Sequence, residues 1–149
     1  MVKEKLLISA CFLYDGYKYD GTNNILDCID KLKEKYDLIP ICPEVYGGLS
    51  TPRIASEQLG DKVINKEGKD VTSNFINGAR LSLQKCLDNN CKKALLKAKS
   101  PSCGYKKIYD GTFTRTIIDG NGVFVKMLLE HNISIYTENE IGELLDVCK

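Results

Sequence analysis

The chain has 149 residues, 21 basic and 20 acidic side chains, seven cysteines, one histidine and no tryptophan. The length suits one domain over 1–149, and the 43% apolar content fits a globular fold rather than a disordered chain. A net charge of +1 supplies no broad field for nucleic acid or an anionic membrane, and the single histidine, His131, excludes a multi-histidine metal site and argues against a histidine-based triad.

The first apolar stretch, 6–14, is far shorter than the roughly 18 residues of a membrane span. It runs into Asp15-Gly16 with no small-residue cleavage site, so it reads as a buried strand over 5–10 and not as a signal peptide. Ile25, Cys28, Ile29, Leu32 and Tyr36 then recur at helical spacing, predicting a helix over 24–36 capped by Thr22 or Asn23. Residues 38–41 form a second strand, with Pro40 marking an irregular strand or its end. Gly47-Gly48 and Pro52 break the chain. Residues 62–71 read as a small hairpin or loop excursion. Thr72 is the predicted cap of a long helix reaching Asn89, with Phe75, Ile76, Ala79, Leu83, Cys86 and Leu87 on one face.

A third strand is expected over 94–98 and stops at Ser100-Pro101-Ser102-Cys103-Gly104. Residues 105–121 are loop-rich, 122–131 a short helix, 133–136 a fourth strand and 138–147 a terminal helix. His131 falls at a helix C-terminus, where it complements the dipole. The tetrapeptide Tyr-Asp-Gly-Thr occurs at 19–22 and again at 109–112, which reads as two turns and not as a repeat. Strands and helices alternate, which predicts an α/β domain of three layers with a mainly parallel sheet.

The seven cysteines are widely spaced, contain no CxxC pair and total an odd number, which argues against a disulfide scaffold, a zinc ribbon or a thioredoxin motif. Reduced thiols and the lack of a membrane or export segment point to the cytoplasm. On the predicted elements, Cys11, Cys42 and Cys103 each follow the carboxyl end of a strand. In an open parallel sheet those ends share one edge, where ligands bind, so three thiols distant in sequence converge. Cys28 and Cys86 fall on apolar helix faces as core residues, while Cys91 and Cys148 read as incidental. Three convergent thiolates could hold an iron–sulfur cluster or a zinc ion with an open position, or remain unligated with one thiol as a nucleophile. Glu44, two residues beyond Cys42, would point to the same side if the chain stayed extended and could then serve as acid or base. Ser100 or Ser102 could bond a substrate or satisfy the turn. Arg53 could recognise a carbonyl or anion, or form a surface salt bridge.

Ile-Ser-Ala-Cys at 8–11, Cys-Pro-Glu and Gly-Gly at 42–48, Thr-Pro-Arg at 51–53, Lys-Ser-Pro-Ser-Cys-Gly at 99–104 and Tyr-Asp-Gly-Thr-Phe at 109–113 together resemble one bacterial family, domain of unknown function family 523, which includes the thiouracil desulfidases. The resemblance covers nearly the whole chain in motif order. It implies a Rossmann-like α/β domain with a [4Fe–4S] cluster held by Cys11, Cys42 and Cys103, one iron being left without a protein ligand. It further implies that the iron takes the sulfur of a thiolated nucleobase and that water replaces it. Glu44 matches the catalytic acid/base, and Ser100, with Ser102 as second choice, the polar residue beside it; Ser102 and Arg53 are assigned to the substrate. A small molecule is the implied partner, with the chain a monomer or homodimer. A sensor or carrier of cluster or sulfide without turnover is the competing class, and a zinc-dependent hydrolase a third.

Overall fold

Leu6, Leu7 and Ile8 have no exposed surface, so the strand that carries them, β1 (Glu4–Ser9), must be covered on both faces. The computed structural model describes residues 3–14, 20 and 25–145 and supplies that cover. After β1 come α1 (Ile29–Lys35), β2 (Tyr36–Ile41), a one-turn helix α2 (Pro43–Tyr46), the strands β3 (Ser56–Leu59) and β4 (Lys62–Asn65), and the long α3 (Thr72–Asp88). The remainder is β5 (Lys93–Leu96), β6 (Lys107–Tyr109), β7 (Ile117–Asp119), α4 (Val123–Glu130), β8 (Ser134–Thr137) and α5 (Ile141–Leu145). β2, β1, β5 and β8 lie side by side in that order, every pair parallel, as the sequence predicts. The order places β1 between β2 and β5, the strands before and after a crossover.

Strand alternation sorts the core into two halves. Leu7, Ala94 and Leu96 pack with Ala79 and Cys86 of α3 and Phe124, Val125 and Leu128 of α4. Leu6, Ile8 and Leu95 pack with Leu32 of α1, Tyr36 and Leu144 of α5. Each fully buried leucine or phenylalanine contributes about 1.5–3 kcal/mol of transfer free energy, so both halves are held by apolar burial. Among the described residues, no helix is long and apolar enough to cross a membrane.

Several local expectations are corrected. The first helix begins only at Ile29, and Tyr36 opens β2 instead of closing α1; its hydroxyl donates to the Leu144 carbonyl at 2.9 Å, a long-range bond that helical spacing cannot reveal. Pro40 is tolerated because β2 is an edge strand, and its carbonyl faces the open side, accepting from Lys85 Nζ at 2.9 Å. Thr72 is not the cap of α3 but its first residue; its hydroxyl accepts from the Val63 amide, while Asp70 Oδ1 accepts from the Thr72 amide and hydroxyl. The small hairpin expected over 62–71 does close, through the Val71 amide on the Val63 carbonyl and the Ile64–Asp70 bridge, but β4 also pairs with β3 across Gly60-Asp61, and the region expected to be loop holds a further antiparallel pair, β6 with β7. The expected terminal helix is a 3-10 turn, Glu138–Glu140, leading into α5. His131 follows α4 and sits 3.0 Å from the Met127 carbonyl. The candidate caps Thr22 and Asn23, most of the first Tyr-Asp-Gly-Thr and Cys148 lie outside the described residues.

Candidate active site

The parallel sheet sends the carboxyl ends of β1, β2 and β5 to one edge. Cys11 lies in the 3-10 turn Ala10–Phe12 that follows β1, Cys42 directly after β2, and Cys103 in the turn after β5. All three line one cavity of about 560 Å³, together with Glu44, Arg53, Ser100 and Ser102. That volume lies within the usual range for small-molecule sites. Every site residue expected from the sequence is therefore found around one opening.

Cys42 and Cys103 are buried and Cys11 is half-buried. Burial pushes the Cys42 thiol up, partly opposed by the Val45 backbone amide. Burial likewise pushes Cys103 up to about 12, against hydrogen bonds from the Ser102 and Ser9 side chains that favour its thiolate. Buried thiols resist ionisation until a cation is there to balance them. Among the described residues, no three histidine, cysteine, aspartate or glutamate side chains gather closely enough for a single ion. An iron–sulfur cluster is a larger body, draws ligands from a wider ring and takes thiolates. The donor set of three cysteines around an open cavity fits such a group.

Glu44 does not reach the cavity along an extended strand. The chain turns helical at Pro43, which occupies the first helical position, and Glu44 stands in that first turn. Two glycines fix where the turn sits. A Cβ on Gly78 of α3 would fall 1.7 Å from the Pro43 carbonyl oxygen, and one on Gly47 would fall 1.9 Å from that of Asn74. The backbones of α2 and α3 are thus in direct contact, and Asn74 adds a bond from its Nδ2 to the Gly47 carbonyl at 2.9 Å.

A polar chain crosses the cavity wall. Arg53 Nε donates to Glu44 Oε1 at 3.0 Å, and Arg53 Nη1 to the Thr51 hydroxyl at 2.9 Å. Arg53 is buried in this ion pair and is not a surface bridge. The other carboxylate oxygen, Glu44 Oε2, accepts from the Ser102 hydroxyl at 3.3 Å, and that hydroxyl also lies 3.6 Å from Cys103 Sγ and 3.1 Å from Ser100 Oγ. The two serines differ. Ser100 Oγ accepts from the amides of Ser102 at 3.2 Å and Cys103 at 3.1 Å, so it shapes the turn. Ser102 is the hydroxyl in contact with both the carboxylate and a thiol.

Sequence reasoning missed the roof. Tyr109, at the end of β6, and Phe113 and Arg115, from the β6–β7 connection, also line the cavity. The available signal was the second Tyr-Asp-Gly-Thr with Phe113 behind it, read only as a turn. β3 was missed as well, and its Gln58 Nε2 donates to the carbonyls of Pro101 at 3.1 Å and Asn121 at 2.8 Å, tying the hairpin to the Cys103 turn. Cys91 is not incidental: it is buried in the core beside Cys86, whose thiol donates to the Cys91 carbonyl at 3.7 Å.

Comparison with known proteins agrees with this geometry. Residues 6–140 match the 2-thiouracil desulfurase family. The uncharacterized protein YbbK of Bacillus subtilis (strain 168) is 33% identical over 150 residues, covering 94% of this chain and 99% of its own. A solved structure of the [4Fe–4S]-dependent thiouracil desulfidase TudS is 40% identical, covers 95% of both chains and superposes with a TM-score of 0.89. With its three strand-end cysteines, its parallel sheet and its full-length match, the chain belongs to the 2-thiouracil desulfurase family.

Proposed function

We infer that this protein is an iron–sulfur-dependent desulfidase acting on a thiolated nucleobase such as thiouracil. The overall change is hydrolytic: a thiocarbonyl and water give the oxo base and hydrogen sulfide, with no net redox change. The observation that carries the reading is the gathering of Cys11, Cys42 and Cys103 with Glu44 and Ser102 around one cavity. Residues 1–149 act as one cluster-binding unit, and the cytoplasm is the compartment in which its thiols stay reduced.

Cys11, Cys42 and Cys103 would hold a [4Fe–4S] cluster, which supplies an iron without a protein ligand as a Lewis acid for the thiocarbonyl sulfur. The chain's own residues do the rest. Glu44 takes a proton from the attacking water and returns it to the departing sulfur. Arg53 holds Glu44 Oε1, so that Oε2 is the oxygen turned toward Ser102. The single Ser102 hydroxyl proton can go to Glu44 Oε2 or to the Cys103 sulfur, and the hydroxyl positions the polar edge of the base. Ser100 keeps the turn that presents them both. Ser102, in place of Ser100, is thus the serine we assign beside Glu44.

The test is anaerobic purification followed by sulfide measurement with 2-thiouracil. A brown protein absorbing near ~400 nm that releases sulfide is expected, with Glu44→Gln keeping the colour and losing turnover by about 100-fold or more. A colourless zinc protein would overturn the cluster, a brown protein without sulfide release would make it a sensor or carrier, and full activity in Glu44→Gln would remove the assigned role.

A further inference from the structure

The second Tyr-Asp-Gly-Thr, with Phe113 behind it, has no part in holding a cluster or moving a proton, yet its conformation is closely specified. From Gly111 to Thr116 the side chains alternate. Thr112, Thr114 and Thr116 are joined through their hydroxyls at 2.6 and 2.8 Å and are exposed. Phe113 and Arg115, between them, line the cavity. Both have positive φ, 59° and 63°, a conformation that bulky side chains rarely adopt and that surrounding structure must hold. The holding group is Glu57 of β3. Its carboxylate is buried, and one oxygen, Oε1, accepts from the amides of Gly111 at 3.0 Å and Phe113 at 3.2 Å. A buried carboxylate is thus committed to the backbone on which Phe113 is mounted.

Resting on the desulfidase reading, we propose that Phe113 is the ring on which the planar base stacks and that Glu57 is the positioning residue that sets it there. Pyrimidine and phenyl rings pair through their faces, and such stacking tolerates changes at the base edge while rejecting non-planar thiocarbonyl compounds. The specificity this confers is for a flat, aromatic thioamide. Glu44 and Ser102 act on the carbon and its sulfur, and Phe113 on the face of the ring, so the two contributions separate kinetically.

The experiment uses cluster-loaded enzyme and reads KM and kcat for 2-thiouracil, Ki for uracil as a competitive product, and absorbance near ~400 nm as the measure of cluster content. Phe113→Ala and Phe113→Leu are expected to raise KM and Ki together by about tenfold, with kcat and absorbance nearly unchanged. Phe113→Tyr, which keeps the ring, is expected to recover most of that affinity. Glu57→Ala should reproduce the KM and Ki rise, and Glu57→Gln, which keeps an acceptor oxygen, should lie between it and the wild type. Wild-type enzyme that releases no sulfide refutes the desulfidase reading itself. Active wild type with unaltered KM and Ki in Phe113→Leu overturns the stacking proposal, and a Glu57→Ala protein that changes only cluster content overturns the positioning role.

Discussion

Gly78→Ala tests how tightly the site depends on the contact between α2 and α3. The added methyl would stand 1.7 Å from the Pro43 oxygen, 2.7 Å from the Pro43 carbonyl carbon and 2.8 Å from the Gly47 amide nitrogen, all backbone atoms that cannot rotate away. An ordinary carbon–oxygen contact is about 3.3 Å, so α2 must withdraw by roughly 1.5 Å. Overpacking of this kind costs about 1–3 kcal/mol, and replacing glycine by alanine within a helix returns up to about 1 kcal/mol. With about 1 kcal/mol returned, the net loss is about 0–2 kcal/mol, or a fall of up to some 8 °C in Tm for a chain of this size. Activity suffers more, because α2 carries Glu44 and follows directly on Cys42. A displacement near 1 Å costs about 100-fold in rate. Calorimetry, iron content and sulfide release on the same preparation should show a folded protein with sharply reduced kcat. Gly78→Ala with wild-type Tm and wild-type turnover would refute the reasoning, since it would mean that α2 can move without consequence or that the contact is not made.

Three further outcomes are expected. Ser102→Ala should lower kcat with cluster content retained, whereas Ser100→Ala, which strips the acceptor from two amides, should lower iron content and Tm; iron assay and kinetics on both variants distinguish the roles. Removal of iron by a chelator under argon should leave the far-ultraviolet circular dichroism essentially intact, because both halves of the core are apolar and the strand-end thiols contribute little of it. The hydrogen bonds from the Thr72 hydroxyl and amide hold the Asp70 carboxyl below the usual carboxylate range. Its contribution is therefore present above the unfolded value of about 3.9 and lost as pH falls through the lower folded value, so urea midpoints should drop over that acid range in the wild type and less steeply in Asp70→Asn.

The central sheet was legible because Leu6, Leu7 and Ile8, and again Ala94, Leu95 and Leu96, are uninterrupted apolar runs that only a doubly covered strand requires. The three candidate thiols followed from them, each lying in the segment after a strand. β3 and β7 were not legible, for the opposite reason. β3 reads Ser-Glu-Gln-Leu and buries Glu57 and Gln58, while β7 is exposed throughout, so neither carries the alternation that marks a strand. The choice between Ser100 and Ser102 depends on the winding of a four-residue turn, which places one hydroxyl over amides and the other over Glu44; two serines of equal chemistry give no sign of that. The proximity of Cys86 and Cys91 likewise needs the chain reversal at Asn89 and Asn90, whose geometry spacing alone does not specify.

Pro40 has a meaning beyond its irregularity within a strand. β2 is the open margin of the sheet, and a bare margin invites another chain to add to it. At this point the proline withholds an amide hydrogen and Lys85 occupies the carbonyl, so an incoming strand would find neither donor nor acceptor and would meet a half-buried cation instead. The margin lies beside the segment that leads into Cys42, and a chain waiting for its metal must keep that segment from being recruited into another molecule's sheet. The proline is thus a guard against edge-to-edge pairing between copies of the chain.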